Sequence, residues 1–280
     1  MKFLVQQQPA FVSAGFPDAA SHLVIGRPSV ILIHGAANDH SVWEAPFGQK
    51  EAPFGQNPEL QAKLGVNLLA VDLPGHGQTF AAAKPTIEAY ADWIINLLDN
   101  GAIGNATLIG HSMGALIALD CARRYPTRVA KLGLIGVSLP MPVSDTLLQS
   151  ITESPEAALD QLVRWNFYLA KNDDGTFPPT TAKMLAYRAL LAAARSGVMA
   201  NDLRACAAYH LTHAELDAIS QPTAILASLR DKMASPDGAR LLAARLPQAT
   251  LTMIDHAGHA MMQDAPSEVS GWLEALLVAR

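Results

Sequence analysis

In 280 residues the chain has only two cysteines, and Cys121 and Cys206 are far apart, with no metal-ligand spacing. A thiolate metal centre is therefore not expected, and the two thiols suit a reducing compartment. There is no run of Lys and Arg and no interleaving of basic with aromatic residues. With a net charge of −5, this argues against a nucleic-acid partner. No apolar run approaches the roughly 20 residues of a membrane span. The start, Met1 to Gln8, turns polar after three apolar residues, which is not the pattern of a signal peptide. A cytoplasmic protein without a membrane span is expected. The sequence leaves the oligomeric state open. Charge is sparse too: 16% of residues are charged and 50% are hydrophobic. That balance builds a large core and argues against disorder. The length fits one large domain, or one domain with a substantial insertion.

Short apolar runs recur along the chain. Val30 to Ile33, Asn67 to Val71, Ala106 to Ile109, Leu132 to Val137, Ala224 to Ala227 and Thr250 to Ile254 read as strands. They lack alternation, as parallel strands covered on both faces do. Helical patterns separate them, at Thr86 to Asp99, Ala115 to Tyr125, Ser235 to Arg245 and Pro266 to Val278. This alternation predicts an α/β fold, a doubly wound and mostly parallel sheet. Residues 139–221 break it. Ser154-Pro155-Glu156 reads as an N-cap, a first helical position and a first-turn acid. Apolar positions follow at Leu159, Leu162, Val163, Leu169 and Ala170, with Asn166 as one polar exception. Ala182 to Ser196, closed by Gly197, reads as a second helix and Asn201 to His210 as a third. The expected division is a core of residues 1–138 and 222–280 and a helical cap of 139–221. Placed after a strand's C-terminal end, such an insertion covers the ligand end of an open α/β sheet.

A near-tandem repeat stands out. Glu44-Ala45-Pro46-Phe47-Gly48-Gln49 recurs as Glu51-Ala52-Pro53-Phe54-Gly55-Gln56. Its Pro and Gly content says loop. A short duplication in a surface loop is the reading it supports, since lengthening a loop costs little entropy.

Gly110-His111-Ser112-Met113-Gly114 reads G-x-S-x-G between a strand and a helix. Random placement of the chain's serines and its 19 glycines would give about 0.07 such matches. A serine hydroxyl is a poor nucleophile unless the backbone presents it and a base takes its proton. A sharp strand-to-helix turn presents it, and such a turn needs near side-chain-free neighbours two residues away on each side. The plainer alternative is a glycine-rich turn in which Ser112 only caps the helix.

A serine nucleophile also requires a base, an orienting acid and donors for the oxyanion. His259, in Asp255-His256-Ala257-Gly258-His259 after the last strand, is the leading base. His256 is nearer the strand end, and His111 adjoins the serine and is expected to point elsewhere. His34 and His76 lie in glycine-rich loops and suit structural hydrogen bonds. Asp231, after the strand at Ala224 to Ala227, is the expected acid, with a helix cap or a pair with Arg230 or Lys232 as plainer uses. For the oxyanion hole the expected donors are the N–H groups of Met113, at a helix N-terminus, and of Ala36, in the loop after the first strand.

Taken together, His34-Gly35, Asp72-Leu73-Pro74-Gly75-His76-Gly77, the Gly110 to Gly114 motif, Asp231 and Gly258-His259 resemble the α/β-hydrolase superfamily, in its branch with a helical cap. The resemblance runs from about Ser29 to the C-terminus. The order Ser112, Asp231, His259 matches that superfamily's nucleophile, acid and histidine. Many relatives carry a further small residue, often glycine, after the motif; here it is Ala115. The duplication lengthens the first loop beyond the usual pattern. The resemblance implies acyl transfer to Ser112 and hydrolysis of the acyl-enzyme, with His259 as base and then acid and no cofactor or metal. Relatives with an aspartate nucleophile cleave epoxides or carbon–halogen bonds, which Ser112 argues against.

Three activities fit this reading: an esterase on a small-to-medium apolar carboxylic ester, a carbon–carbon hydrolase of a diketone with the same triad, and a ligand-binding protein that retains the triad. The partner expected is a small-molecule substrate. Met141, Trp165 and Tyr168 are the expected substrate-binding residues of the cap, with Phe167, Tyr187 and Met233 also available. Core packing is the plainer use of each.

Overall fold

The fold comes from a computed structural model that describes residues 2–14, 23–47, 64–170, 174–176 and 179–278. Its strands are β1 (Lys2–Val5), β2 (Gln8–Ala14), β3 (Ser29–Ile33), β4 (Asn67–Val71), β5 (Ala106–His111), β6 (Val129–Ile135), β7 (Thr223–Ser228) and β8 (Ala249–Ile254). They form an eight-stranded sheet in the order β1-β2-β4-β3-β5-β6-β7-β8. β3 to β8 run parallel; β1 and β2 are an antiparallel hairpin, and β2 adds to the edge of β4. The non-alternating runs of β3, β4 and β5 are buried along their whole length. β8 ends the sheet, and there the pattern changes: Thr250 and Thr252 are exposed between half-buried neighbours.

The helices are α1 (Ile87–Asn100), α2 (Met113–Arg124), α3 (Asp145–Glu153), α4 (Pro155–Asn166), α5 (Ala182–Ala192), α6 (Val198–Ala208), α7 (Pro236–Arg245) and α8 (Pro266–Val278), with shorter turns between them. Successive β3 side chains enter opposite layers. Ile31 and Ile33 join a core with Trp93 of α1 and Leu116 of α2. Val30 and Leu32 join one with Val269 and Leu273 of α8. Helices thus cover both faces, which is the expected doubly wound α/β sheet. Among the described residues no helix is long and apolar enough to cross a membrane.

Helices α3 to α6 lie between β6 and β7. Their apolar faces form a third cluster, with Leu162, Phe167, Tyr187 and Leu203, that also takes in Ala37 and Ala260 from the sheet's loops. Three local expectations change. Ser154 stands before α4 with Pro155 at the first position, but its side chain makes no cap hydrogen bond. The second helix expected within 139–221 ends at Ala192, and Gly197, at φ +79°, opens α6 instead of closing α5. Helix α3 was not expected. Of the duplicated segment only Glu44–Phe47, one helical turn, is described; the second copy lies outside the described residues.

Candidate active site

Ser112 sits between β5 and α2 with φ 54° and ψ −117°. Non-glycine residues rarely adopt such a positive φ, and one that persists at a strand end is a strained, over-determined turn. The flanking glycines are needed for close approach. A Cβ on Gly110 would lie 2.1 Å from the Gly114 carbonyl oxygen, and one on Gly114 would lie 2.2 Å from that of Ile33. Ser112 donates its N–H to the Ile135 carbonyl at 2.9 Å and makes no side-chain cap bond. Its hydroxyl is therefore not used as a helix cap.

Asp231 follows β7, and His259 follows β8. Both are buried, and the Asp231 Oδ2 lies 2.8 Å from the His259 Nδ1. The other Asp231 oxygen accepts the N–H groups of Met233 and Ala234, each at 2.8 Å. Asp231 therefore caps a turn and pairs with a histidine through different oxygens. The His259 loop is pinned from several sides. The Ala260 N–H donates to the Asn166 carbonyl at 2.8 Å, and His111 Nε2 donates to the His259 carbonyl at 3.0 Å. His111 thus does not point away: its ring lies 4.8 Å, centroid to centroid, from that of His259. Burial, with His259 beside it, pushes the His111 imidazole down to about 3.

The loop after β3 passes close to this turn. A Cβ on Gly35 would lie 3.0 Å from His111 Nδ1 and 3.3 Å from Ser112 Cβ, so glycine serves close approach there. The positive φ falls two residues later, at Ala37 (56°). Among the described residues no acceptor meets the Ala36 N–H. Met113 opens α2, so its N–H has no acceptor within the helix. His34 is structural: its Nδ1 donates to the Gly35 carbonyl at 2.8 Å and its Nε2 accepts the Leu73 N–H at 3.1 Å. Burial first, then His76 nearby, pushes it down to about 4.

Ala36, Ser112 and His259 line one cavity. Its remaining wall includes Leu162, Leu191, Met199, Leu203 and Met233, with Asn38, Asn166 and Tyr187 as a polar seam. The seam is bonded to itself: Tyr187 donates to Asn166 Oδ1 at 3.1 Å, and Asn166 Nδ2 donates to the Leu162 carbonyl at 2.8 Å. About 40 Å³ of the cavity is open to water-sized molecules. Asp39, His40 and Asp72 come close enough to offer ligand atoms to a metal. The Asp72 oxygens are already taken by the His40 N–H, His40 Nδ1 and the Gln78 N–H.

Residues 30–272 match the alpha/beta hydrolase family. The chain belongs to that family. It is 31% identical over 276 residues to a pimeloyl-[acyl-carrier protein] methyl ester esterase of Aromatoleum aromaticum, covering 89% of this chain and 98% of that one. It is also 31% identical, over 140 residues and 46% of each chain, to a 2-hydroxy-6-oxononadienedioate/2-hydroxy-6-oxononatrienedioate hydrolase of Burkholderia vietnamiensis. Among solved structures it resembles the enol-lactonase from Burkholderia xenovorans LB400, with a TM-score of 0.79, 19% identity and 100% of both chains covered. That last likeness shows the fold.

Within this alpha/beta hydrolase, three expected substrate-binding residues lie away from the cavity. Met141 is buried in the main core against the sheet. Trp165 lines a separate depression with Arg164 and Lys232, because α4 turns its Leu162 and Asn166 face to the cavity. Tyr168 follows α4, where its ring lies 5.3 Å from the Arg230 guanidinium. The cavity is lined instead by Leu191, Met199 and Leu203, together with Tyr187 and Met233. Asn166 carried a signal in the sequence, as the lone polar residue on an apolar helical face. Asp202 carried a similar one within α6.

Proposed function

We propose that this chain is a serine hydrolase that cleaves a small-to-medium, apolar carboxylic ester through an acyl-enzyme on Ser112. The observation that carries the reading is the buried Asp231–His259 pair at 2.8 Å, whose ring shares a cavity with the strained Ser112. In this reading residues 1–138 and 222–280 are the hydrolase core and 139–221 the cap. His259 Nε2 takes the Ser112 hydroxyl proton as Oγ attacks the ester carbonyl. The N–H groups of Ala36 and Met113 receive the oxyanion. The alcohol leaves with the proton from His259, water repeats the attack, and the acid is released. The apolar wall and small volume suit a compact ester group at the serine. A methyl ester of a longer acyl chain, as in the name of the Aromatoleum relative, fits that description. A carbon–carbon hydrolase would use the same three residues. The relative of that type is named for a dioate, which carries two carboxylates. Among the described residues lining the cavity there is no Lys or Arg, which favours the uncharged ester.

The test is a panel of p-nitrophenyl and methyl esters of increasing acyl length, run on wild type and Ser112→Ala. Wild type turns over the short and medium esters, and Ser112→Ala does not. No turnover of any ester by wild type refutes the esterase, and activity that survives Ser112→Ala refutes the serine as nucleophile.

A further inference from the structure

Asp202 is fully buried, in a helix otherwise rich in alanine and other apolar residues. Four donors converge on it. Oδ2 accepts the Ala37 N–H at 3.0 Å and faces His76 Nε2 at 2.7 Å; Oδ1 accepts the Tyr90 hydroxyl at 2.9 Å and Asn201 Nδ2 at 3.3 Å. His76 Nδ1 in turn faces the Pro74 carbonyl at 2.9 Å, so both ring nitrogens point at oxygens. Burial alone would raise the Asp202 carboxyl, but these bonds, that from His76 first, hold it below its ordinary value. A buried carboxylate is costly unless paired and hydrogen-bonded in this way.

The partners come from different parts of the fold. Asp202 belongs to α6, between β6 and β7. Ala37 belongs to the loop after β3, His76 to the loop after β4, and Tyr90 to α1. The bond to Ala37 is made where the backbone takes φ 56°, a region L residues rarely adopt. Holding the Ala37 N–H fixes the Ala36–Ala37 peptide, one residue beyond the unbonded Ala36 N–H. We propose that Asp202 is a positioning residue: from the cap it holds the Ala37 amide in its strained turn and so aims the Ala36 N–H at the oxyanion. The oxyanion hole is then complete only while α6 is seated on the sheet. This rests on the reading of Ala36 as an oxyanion donor, made above.

The experiment compares Asp202→Ala, Asp202→Asn and Tyr90→Phe with wild type. It measures kcat and KM on a short p-nitrophenyl ester, affinity for an arylboronic acid that forms a tetrahedral adduct with the serine, Tm, and amide exchange at Ala37. Asp202→Ala lowers kcat by about 10- to 100-fold with KM within twofold, and boronate affinity falls in parallel. Asparagine has one acceptor oxygen where aspartate has two, so Asp202→Asn lowers kcat by roughly 3- to 10-fold. Tyr90→Phe lowers Tm but leaves kcat within about twofold. Where Asp202→Ala does not fold, Asp202→Asn decides. Wild-type kcat in the folded Asp202 variants, or a kcat loss that Tyr90→Phe reproduces, overturns the proposal. Wild type inactive on every ester refutes the esterase alone. Exchange at Ala37 in Asp202→Asn then decides the positioning role: faster exchange supports it, and unchanged exchange overturns it.

Discussion

Asp231 Oδ2 and His259 Nδ1 stand 2.8 Å apart, brought together by the loops after two adjacent parallel strands. The carboxylate cannot rotate freely, because its other oxygen holds the Met233 and Ala234 amides. The ring is held by that contact and by its own backbone, which bonds to His111. Nδ1 is thus committed to the acid, and Nε2 is the nitrogen left for the cavity.

Replacing Asp231 with Asn tests this commitment. The amide oxygen can keep the two backbone N–H groups, which turns the NH2 toward His259 Nδ1. That pairing requires Nδ1 to accept, and the proton moves to Nε2, where a base needs a lone pair. We expect kcat to fall by about 10³- to 10⁴-fold, the scale of such tautomer errors in Ser-His-Asp triads, with Tm close to wild type. Near-normal turnover would rule Asp231 out as the orienting acid.

The glycines of the Ser112 turn differ from glycine elsewhere. Gly114→Ala drives a Cβ to 2.2 Å from the Ile33 carbonyl oxygen and 2.7 Å from that of His34, backbone atoms that cannot move aside. We expect a loss of more than about 3 kcal/mol, or no folding. Gly271 lies inside α8 with open space where a Cβ would go. Gly271→Ala should gain up to about 1 kcal/mol, through helix propensity alone. Urea melts of the two variants read both signs.

His256 and His259 share one loop but not one environment. His256 is exposed and pairs with Asp255 and Glu268, while His259 is buried against Asp231. Exposed pairs of this kind contribute little. His256→Ala should keep kcat/KM within about twofold of wild type, and His259→Ala should abolish it. The opposite result in the same ester assay would reverse the choice of base.

The parallel strands are written in the sequence as unbroken apolar runs because burial on both faces leaves no polar positions to alternate. β8 escapes that rule by being an edge strand. The β1–β2 hairpin was illegible for a different reason. Its turn is Gln6-Gln7, both at positive φ (51° and 65°), where a glycine or asparagine would have marked it. Helix α3 sets Leu147, Leu148 and Ile151 at helical spacing against the third cluster, but its nine residues are shorter than the window over which such a period stands out. The triad candidates could be named from the sequence because strand ends and chain order constrain them. The cavity wall could not. Met141, Trp165 and Tyr168 have suitable chemistry, but helix rotation and docking decide which face meets Ser112. The better signals were polar residues on apolar faces, Asn166 and Asp202, which burial tolerates only when every hydrogen bond is answered.

His34 and His111 each weaken the fold toward acid pH. Burial holds them near 4 and 3 in the native state, whereas an unfolded histidine titrates near 6.5. Both are depressed, so their contribution to stability is fully present above pH ~6.5 and is lost as pH falls toward the native values, because the unfolded chain takes up the proton first. Between about pH 6 and pH 4 each such histidine steepens the decline by roughly 1.4 kcal/mol per pH unit. His111→Gln keeps a donor for the His259 carbonyl and removes one titrating group. Its unfolding free energy should therefore fall less steeply than that of wild type across that window, by about one proton's slope. Urea melts at half-unit pH steps measure the difference. Parallel curves for the two proteins would show that His111 is not held neutral in the folded state.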